Sequence, residues 1–230
     1  IEGSKYSINK GIWGTSIGGK ETLNSREYLN KEAWTSPVYK TEPINIQIDF
    51  EKGEAIALNN KTYKSKVELI ENLEELVKGY GIGRDIHVGD TIIGIKGRVA
   101  FEAAAAVLLI QAHRHLEKHV LSKNQILIKD QLAINYGNLI HEGNFYDPAR
   151  KNIEMFLESS QEFVSGSVFI KINPNYFYIE GIESPFDLMK SEFGKYGEEN
   201  SAWNSSDAKG FIKIYSNANT IINQIQNGKN

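Results

Sequence analysis

An α+β fold is predicted for this chain, with antiparallel β-hairpins and sheet packed against several long helices and a further helix at the C-terminus. Three features predict it. Apolar residues alternate in paired runs around turns at 44–58 and 163–182, which marks hairpins with one buried face. They recur at helical spacing over 66–78, 101–119 and 122–141, which marks amphipathic helices. Between the first helix and the second, glycines at 79, 81, 83, 89, 94 and 97 punctuate a stretch that the rest of the chain is arranged around. Residues without Cβ are spent where φ must turn positive or where something must come close.

Taken in order, residues 1–29 are rich in glycine and polar side chains and lack either period, so they read as an ordered loop. Ile12 and Trp13 argue against disorder there, because they need burial. A polar linker from Glu32 to Lys40 follows. Ile44, Ile46, Ile48 and Phe50 then alternate up to the turn Glu51-Lys52-Gly53-Glu54, and Ala55 to Leu58 return. Ser65 caps the helix from Lys66 to about Lys78, with Glu68 spaced for a capping box and Gly79 as C-cap. Val67, Ile70, Leu73, Leu76 and Val77 form its apolar stripe.

In the glycine-rich stretch, Ile86, Val88, Ile92, Ile93 and Ile95 read as short strands that carry the apolar load. A long helix is expected over Phe101–His119, opening on Phe101-Glu102 and the small residues Ala103 to Ala106. Another runs from Ser122 to His141, and Pro148 begins a third at the favoured first position, ending near Ser160. Strands return at Phe163-Val164, Gly166–Ile172 and Tyr176–Ile182 around the turn Asn173-Pro174-Asn175. A polar stretch over 194–206 leads to Asp207-Ala208-Lys209-Gly210-Phe211-Ile212. The last helix, Ser216 to Gln226, carries Ile221, Ile222 and Ile225.

Composition excludes several classes of function. With 26 basic against 29 acidic residues and a net charge of -3, nothing favours nucleic acid or an anionic membrane as partner. No cysteine is present, which removes disulfides and thiolate chemistry and suits a cytoplasmic location. Neither a membrane-spanning run nor a signal peptide is visible, and a start at Ile1 rather than Met suggests a processed or truncated piece. His113, His115 and His119 lie close along one helix, yet the His-Glu-x-x-His spacing of a catalytic zinc site is missing, so no metal is expected. The glycines match neither phosphate-loop pattern.

Gly81-Ile82-Gly83-Arg84, Gly94-Ile95-Lys96-Gly97-Arg98 and Phe101-Glu102 stand in register with a pattern of the synthetase half of the argininosuccinate synthase family. Tyr6-Ser7 followed nine residues later by Ser16, then Ser160-Gln161, Gly181-Ile182-Glu183-Ser184-Pro185 and the Asp207–Ile212 run, are similar to further motifs of that family in the same order. The resemblance implies a crossover segment at 1–30 carrying the substrate-binding serines, a synthetase domain at 31–214 and an oligomerisation helix at 215–230 that serves a homotetramer. It also implies ATP-dependent ligation of citrulline with aspartate, yielding argininosuccinate, AMP and pyrophosphate in arginine biosynthesis. ATP and Mg²⁺ would be held mainly by an N-terminal nucleotide-binding domain. The family's Ser-Gly-Gly-x-Asp-Thr-Ser loop is not found here, and Ser16-Ile17-Gly18-Gly19-Lys20 does not replace it. No catalytic residue is therefore assigned to this chain, only substrate-binding ones.

Those are Ser7, Ser16, Gly89, Asp90 and Phe101. The resemblance places a citrulline-binding Glu at 89 and a Tyr at 101, where this chain has Gly89 and Phe101. Two explanations stand open. Asp90 takes the carboxylate role after a local shift, or the substrate is an N-acyl-citrulline with no ammonium group to neutralise, for which an unpaired carboxylate would be costly. A non-catalytic oligomerisation or binding module that retained the fold is the alternative to an enzyme.

Overall fold

The computed structural model describes residues 5–191 and 202–228. The chain divides into two compact units, Ile1–Asp187 and Leu188–Asn230. The larger unit holds two antiparallel sheets with helices, the α+β architecture expected from the sequence.

One sheet has five strands in the order β5-β4-β3-β8-β9. They are β3 (Ile44–Glu51), β4 (Glu54–Leu58), β5 (Lys61–Thr62), β8 (Gly166–Asn173) and β9 (Tyr176–Glu183). Both hairpins read from the alternating runs are present, and β3 pairs with β8 so that Ile44, Ile46 and Ile48 stand opposite Ile172, Ile170 and Val168. These side chains share one face because residues two apart on a strand point the same way. That face is buried against α1 (Lys66–Val77) and α2 (Ala104–Val120), with Leu69, Leu73, Val77, Leu108, Ala112 and Leu116 almost wholly enclosed in one core.

Helix α1 starts at the predicted cap: the Ser65 hydroxyl accepts the Glu68 N–H at 3.1 Å. The Glu68 carboxylate takes the Lys64 N–H rather than that of Ser65, so the box closes one residue early. Ser65→Ala is expected to cost about 1 kcal/mol in urea unfolding, the worth of one N-cap. At its other end α1 does not stop at Gly79. It tightens into a 3-10 turn over Lys78–Tyr80, and the left-handed residue is Gly81 at φ 75°.

The second sheet has the order β1-β2-β7-β6, from β1 (Ser7–Gly11), β2 (Gly14–Gly18), β6 (Arg84–Asp90) and β7 (Lys96–Glu102). Three expectations are corrected here. Residues 7–18 form a hairpin rather than a loop; β1 is an edge strand exposed along its whole length, so it needs no apolar alternation. Ile92, Ile93 and Ile95 carry no core, since they lie in and beside the turn between β6 and β7, 77%, 75% and 62% exposed. Phe101 and Glu102 end a strand instead of opening a helix. As a central strand β7 is hydrogen-bonded on both sides, and those ladders hold it extended up to Glu102. Helix α2 then begins at Ala104, where the Glu74 carboxylate of α1 accepts the Ala105 N–H at 2.8 Å and does the work of a cap.

Beyond α2 come α3 (Lys123–His141) and α4 (Pro148–Ser160), capped by Ser122 and Asp147 as their sequences indicate. They are tied by the Tyr136 hydroxyl, which donates to Glu154 at 2.8 Å. In the smaller unit, α5 (Ser205–Tyr215) and α6 (Asn217–Asn227) are consecutive helices; the first is not anticipated by the sequence reading, whereas the second matches the expected C-terminal helix. Most of the polar stretch at 194–206 lies outside the described residues. Among the described residues, no helix is long and apolar enough to cross a membrane.

Candidate functional site

The four-stranded sheet has two unlike faces. Ile17 of β2 stands opposite Ala100 of β7, which stands opposite Ile86 of β6. With Leu29 and Ala33 these make a second, small core, lined by Tyr6 and Trp34. Side chains alternate along a strand, so the neighbouring positions must face away from this core. Asn9, Ser16, Phe101 and Asp85 are cross-strand neighbours in one row of that outer face. Ser7 lies two positions along, opposite Gly18, and His87, Val99, Gly89 and Gly97 continue the face toward the far turn.

Of the five residues singled out from the sequence, Ser7, Ser16, Phe101 and Gly89 share this outer face. Ser16 and Phe101 are direct neighbours. Gly89 is four residues from Asp85, about 13 Å along the strand at the usual rise. Asp90 is on the opposite face and is ion-paired with Lys96 across the hairpin. Asn9, Asp85 and His87 also belong to the outer face, and sequence reasoning passed over them. Only the strand register reveals their company, because they come from segments far apart in the chain.

The row is held from behind. Glu102, buried at the end of β7, accepts the Thr35 N–H and hydroxyl at 2.8 and 2.5 Å and the Ser36 N–H at 3.2 Å. Arg84 pairs with the same carboxylate at 3.0 Å, and its guanidinium lies over the Trp34 ring. At the other end the Tyr6 hydroxyl donates to Glu21 at 2.8 Å. Burial, reinforced by this bond to an anion, pushes the Tyr6 hydroxyl above its ordinary pKa. Burial would raise the Glu21 carboxyl, but hydrogen bonds from its own backbone N–H, from Tyr6 and from Lys20 outweigh it and leave the pKa lowered. Arg98 reaches back to the Glu21 and Glu27 carbonyls at 3.3 and 3.1 Å.

A cleft of about 660 Å³ opens elsewhere, between the turn joining β1 to β2, the 35–39 segment and α1. None of the five predicted residues lines it. Three of its four carboxylates already have partners: Glu74 caps α2, Glu75 is paired with Lys78, and Glu102 is occupied as described, while Glu71 is the fourth. The Lys78 ammonium hydrogen-bonded to Glu75 holds that carboxyl below its ordinary pKa. Structural charges of this kind knit elements together.

Nor does Ser16–Lys20 build an anion cradle. Ser16 and Ile17 are tied into the sheet, and the Gly19 N–H is taken by the Thr22 hydroxyl at 2.9 Å. A phosphate needs several free N–H groups converging, and these residues do not fit ATP. Among the described residues, no group of three His, Cys, Asp or Glu side chains converges to hold a metal ion. His119 faces Asp187, with Nδ1 and Oδ1 3.2 Å apart.

With this geometry in place, comparison with known proteins gives a consistent result. A family model described as the arginosuccinate synthase C-terminal domain matches residues 6–222. The chain is 36% identical over 227 residues to the argininosuccinate synthase of Dictyoglomus turgidum, covering 98% of this chain and 56% of the relative. Against the enzyme of Dehalococcoides mccartyi strain BAV1 identity is 35% over 214 residues, or 91% of this chain and 52% of the relative. For the Xanthomonas campestris pv. campestris protein it is 34% over 224 residues, with 96% and 55% covered. The chain thus spans about half the length of the curated relatives it matches.

Proposed function

This chain belongs to the argininosuccinate synthase family through its C-terminal domain, and from that premise we propose that it supplies the amino-acid side of a citrulline–aspartate ligation. Its partner substrates are citrulline, free or N-acylated, and aspartate. ATP and Mg²⁺ would be held by a nucleotide-binding domain outside this chain, a reading supported here by the Gly19 N–H being taken by Thr22 and residues 16–18 being paired with β1. The ureido oxygen attacks the α-phosphorus of ATP and pyrophosphate leaves, giving an adenylate from which the aspartate amine then displaces AMP. The protein works in the cytoplasm as a homotetramer, to which the exposed apolar residues of α6, Ile221, Ile222 and Ile225, contribute.

The observation that carries this reading is the row on the outer face, where Ser16 and Phe101 sit side by side with Ser7 two positions away. Hydroxyls both donate and accept, so two of them at fixed spacing can orient an amino-acid carboxylate. Mounted on paired strands, they hold it with little freedom left to lose. Such positioning is most of what a ligase must provide when the activating phosphate comes from another domain.

The test uses the full-length gene product, assayed for AMP release that requires both citrulline and aspartate. Ser16→Ala is expected to raise KM for the citrulline substrate about tenfold or more, the loss of one hydrogen bond to a charged group. The KM for ATP should stay unchanged. A full-length protein that releases no AMP with citrulline or its N-acyl derivatives would overturn the enzyme reading in favour of an assembly module.

A further inference from the structure

We infer that the cleft of about 660 Å³ between the β1–β2 turn, the 35–39 segment and α1 is a ligand site in its own right, and that it takes a small zwitterion. The ligand is an amino acid whose carboxylate meets Lys10 and Thr15 and whose ammonium meets Glu71. This site lies on the inner face of the four-stranded sheet and uses no residue of the outer row, so it stands or falls apart from the ligation proposed above.

Strand register builds one wall. Lys10 is paired with Thr15, Thr15 with Glu102 and Glu102 with Arg84, so these four make one row on the face that Ile17 and Ala100 share. Direct cross-strand neighbours have Cβ atoms about 5 Å apart, which brings the Lys10 and Thr15 side chains together. The opposite wall is α1, where Glu71, Glu74, Glu75 and Lys78 recur at i, i+3, i+4 and i+7 and form one stripe. Both walls are anchored. A Cβ on Gly14 would stand 2.9 Å from the Ala103 Cα, so the hairpin is seated directly on the end of β7, and the Lys40 ammonium donates to the Leu76 carbonyl at 2.7 Å, tying the end of the 35–39 segment to α1. A site formed before its ligand arrives loses little freedom on binding.

Most of the charge in the cleft is used within the fold: Glu102 by Arg84, Glu75 by Lys78, and Glu74 by the start of α2. One ammonium, Lys10 on the sheet wall, and one carboxylate, Glu71 on the helix wall, are left. Among the described residues neither makes a hydrogen bond or an ion pair. Lys10 reaches Glu75 only through space, a minor influence beside the Lys78 hydrogen bond that holds that carboxyl low. Thr15 is left over as well. It is 5% exposed and lines the cleft, and among the described residues its hydroxyl makes no hydrogen bond. An enclosed hydroxyl without a partner costs stability, which a ligand oxygen accepting its proton recovers. A ligand with positive charge alone suits Glu71 and is opposed by Lys10, and one with negative charge alone meets the reverse. A zwitterion matches both walls at once. Ile12 and Pro37 supply apolar cover for its body, and the volume is within the range of small-molecule sites.

Calorimetric titration of the full-length gene product tests this with two isomers, L-norvaline and 5-aminopentanoate. They carry the same two charges, close together in one and far apart in the other, and so report the spacing that Lys10 and Glu71 require. At least one is expected to bind saturably, with pentanoate and pentylamine, each lacking one charge, about three- to tenfold weaker. Lys10→Met and Glu71→Gln, both on exposed side chains, should each weaken the zwitterion about three- to tenfold, and Thr15→Val should weaken it too, with thermal melting as the folding control. Lys10→Glu combined with Glu71→Lys should regain part of the binding that either reversal alone removes. The outer row is itself proposed to hold an amino acid, so Ser16→Ala is titrated alongside. Binding untouched by Lys10→Met and Glu71→Gln overturns the cleft site, and its loss in Ser16→Ala would then assign the probe to the outer row. Saturable binding of neither isomer overturns the cleft site and leaves the family reaction standing.

Discussion

Replacing Glu102 by alanine is expected to destabilise the domain by about 3–5 kcal/mol, the cost of breaking a buried ion pair by removing one partner. The carboxylate is 7% exposed and satisfies four donors: the Arg84 guanidinium, both polar hydrogens of Thr35 and the Ser36 N–H. Without it, Arg84 stays largely enclosed beside Trp34 with its charge unmatched, and two backbone N–H groups lose their acceptor. A loss of this size lowers the melting temperature by roughly 10 °C for a chain of this length. Glu102→Gln should fall between, since it keeps one acceptor oxygen. Changing both partners to apolar residues, Arg84→Met with Glu102→Leu, should recover much of the loss, because the penalty comes mainly from the orphaned charge. Urea unfolding of the four proteins measures it, and a shift below about 1 kcal/mol for Glu102→Ala would show that the carboxylate is not holding the 34–36 segment.

Gly83→Ala should be comparably severe, at about 3 kcal/mol or more. The backbone there is left-handed, φ +71°, which by itself costs a residue with Cβ about 1–3 kcal/mol. The remainder comes from contact. A Cβ on Gly83 would lie 2.7 Å from the carbonyl carbon and oxygen of Ala103 and from the Ala104 nitrogen, and the Gly83 carbonyl already accepts the Ala103 N–H at 3.0 Å. Backbone cannot rotate out of the way as a side chain can, so either the junction of β7 with α2 moves or the substitution is refused. Gly94→Ala is the control. It shares a positive φ, +79°, but nothing lies within 4 Å, so only the conformational penalty applies. Equal losses at 83 and 94 would mean that close approach of the two chain segments contributes nothing.

How legible each element was follows from how its information is stored. The 44–58 hairpin and α1 could be read because each repeats its apolar residues at its own period, and that repeat is what the core demands. Phe101 was assigned to a helix because its local composition, running into four alanines, favours one. Pairing on both sides of β7 overrode that preference. Likewise β1 left no trace, because an edge strand with every residue exposed has no buried face to pattern. The isoleucines at 92, 93 and 95 misled for the opposite reason, being apolar residues placed where no core exists.

The amino-acid sequence by itself determined the family, through short motifs in order along the chain, and the greater part of the elements, through periods that any local window contains. Only the tertiary structure decided which side chains keep company. A strand's two faces exchange with a shift of one residue in pairing, and in the four-stranded sheet that pairing is set between residues as far apart as Thr15 and Glu102. Hence Ser16 meets Phe101, Asp90 turns away toward Lys96, and His87 comes to lie over Gly89: the register of four strands chooses which side chains share a face.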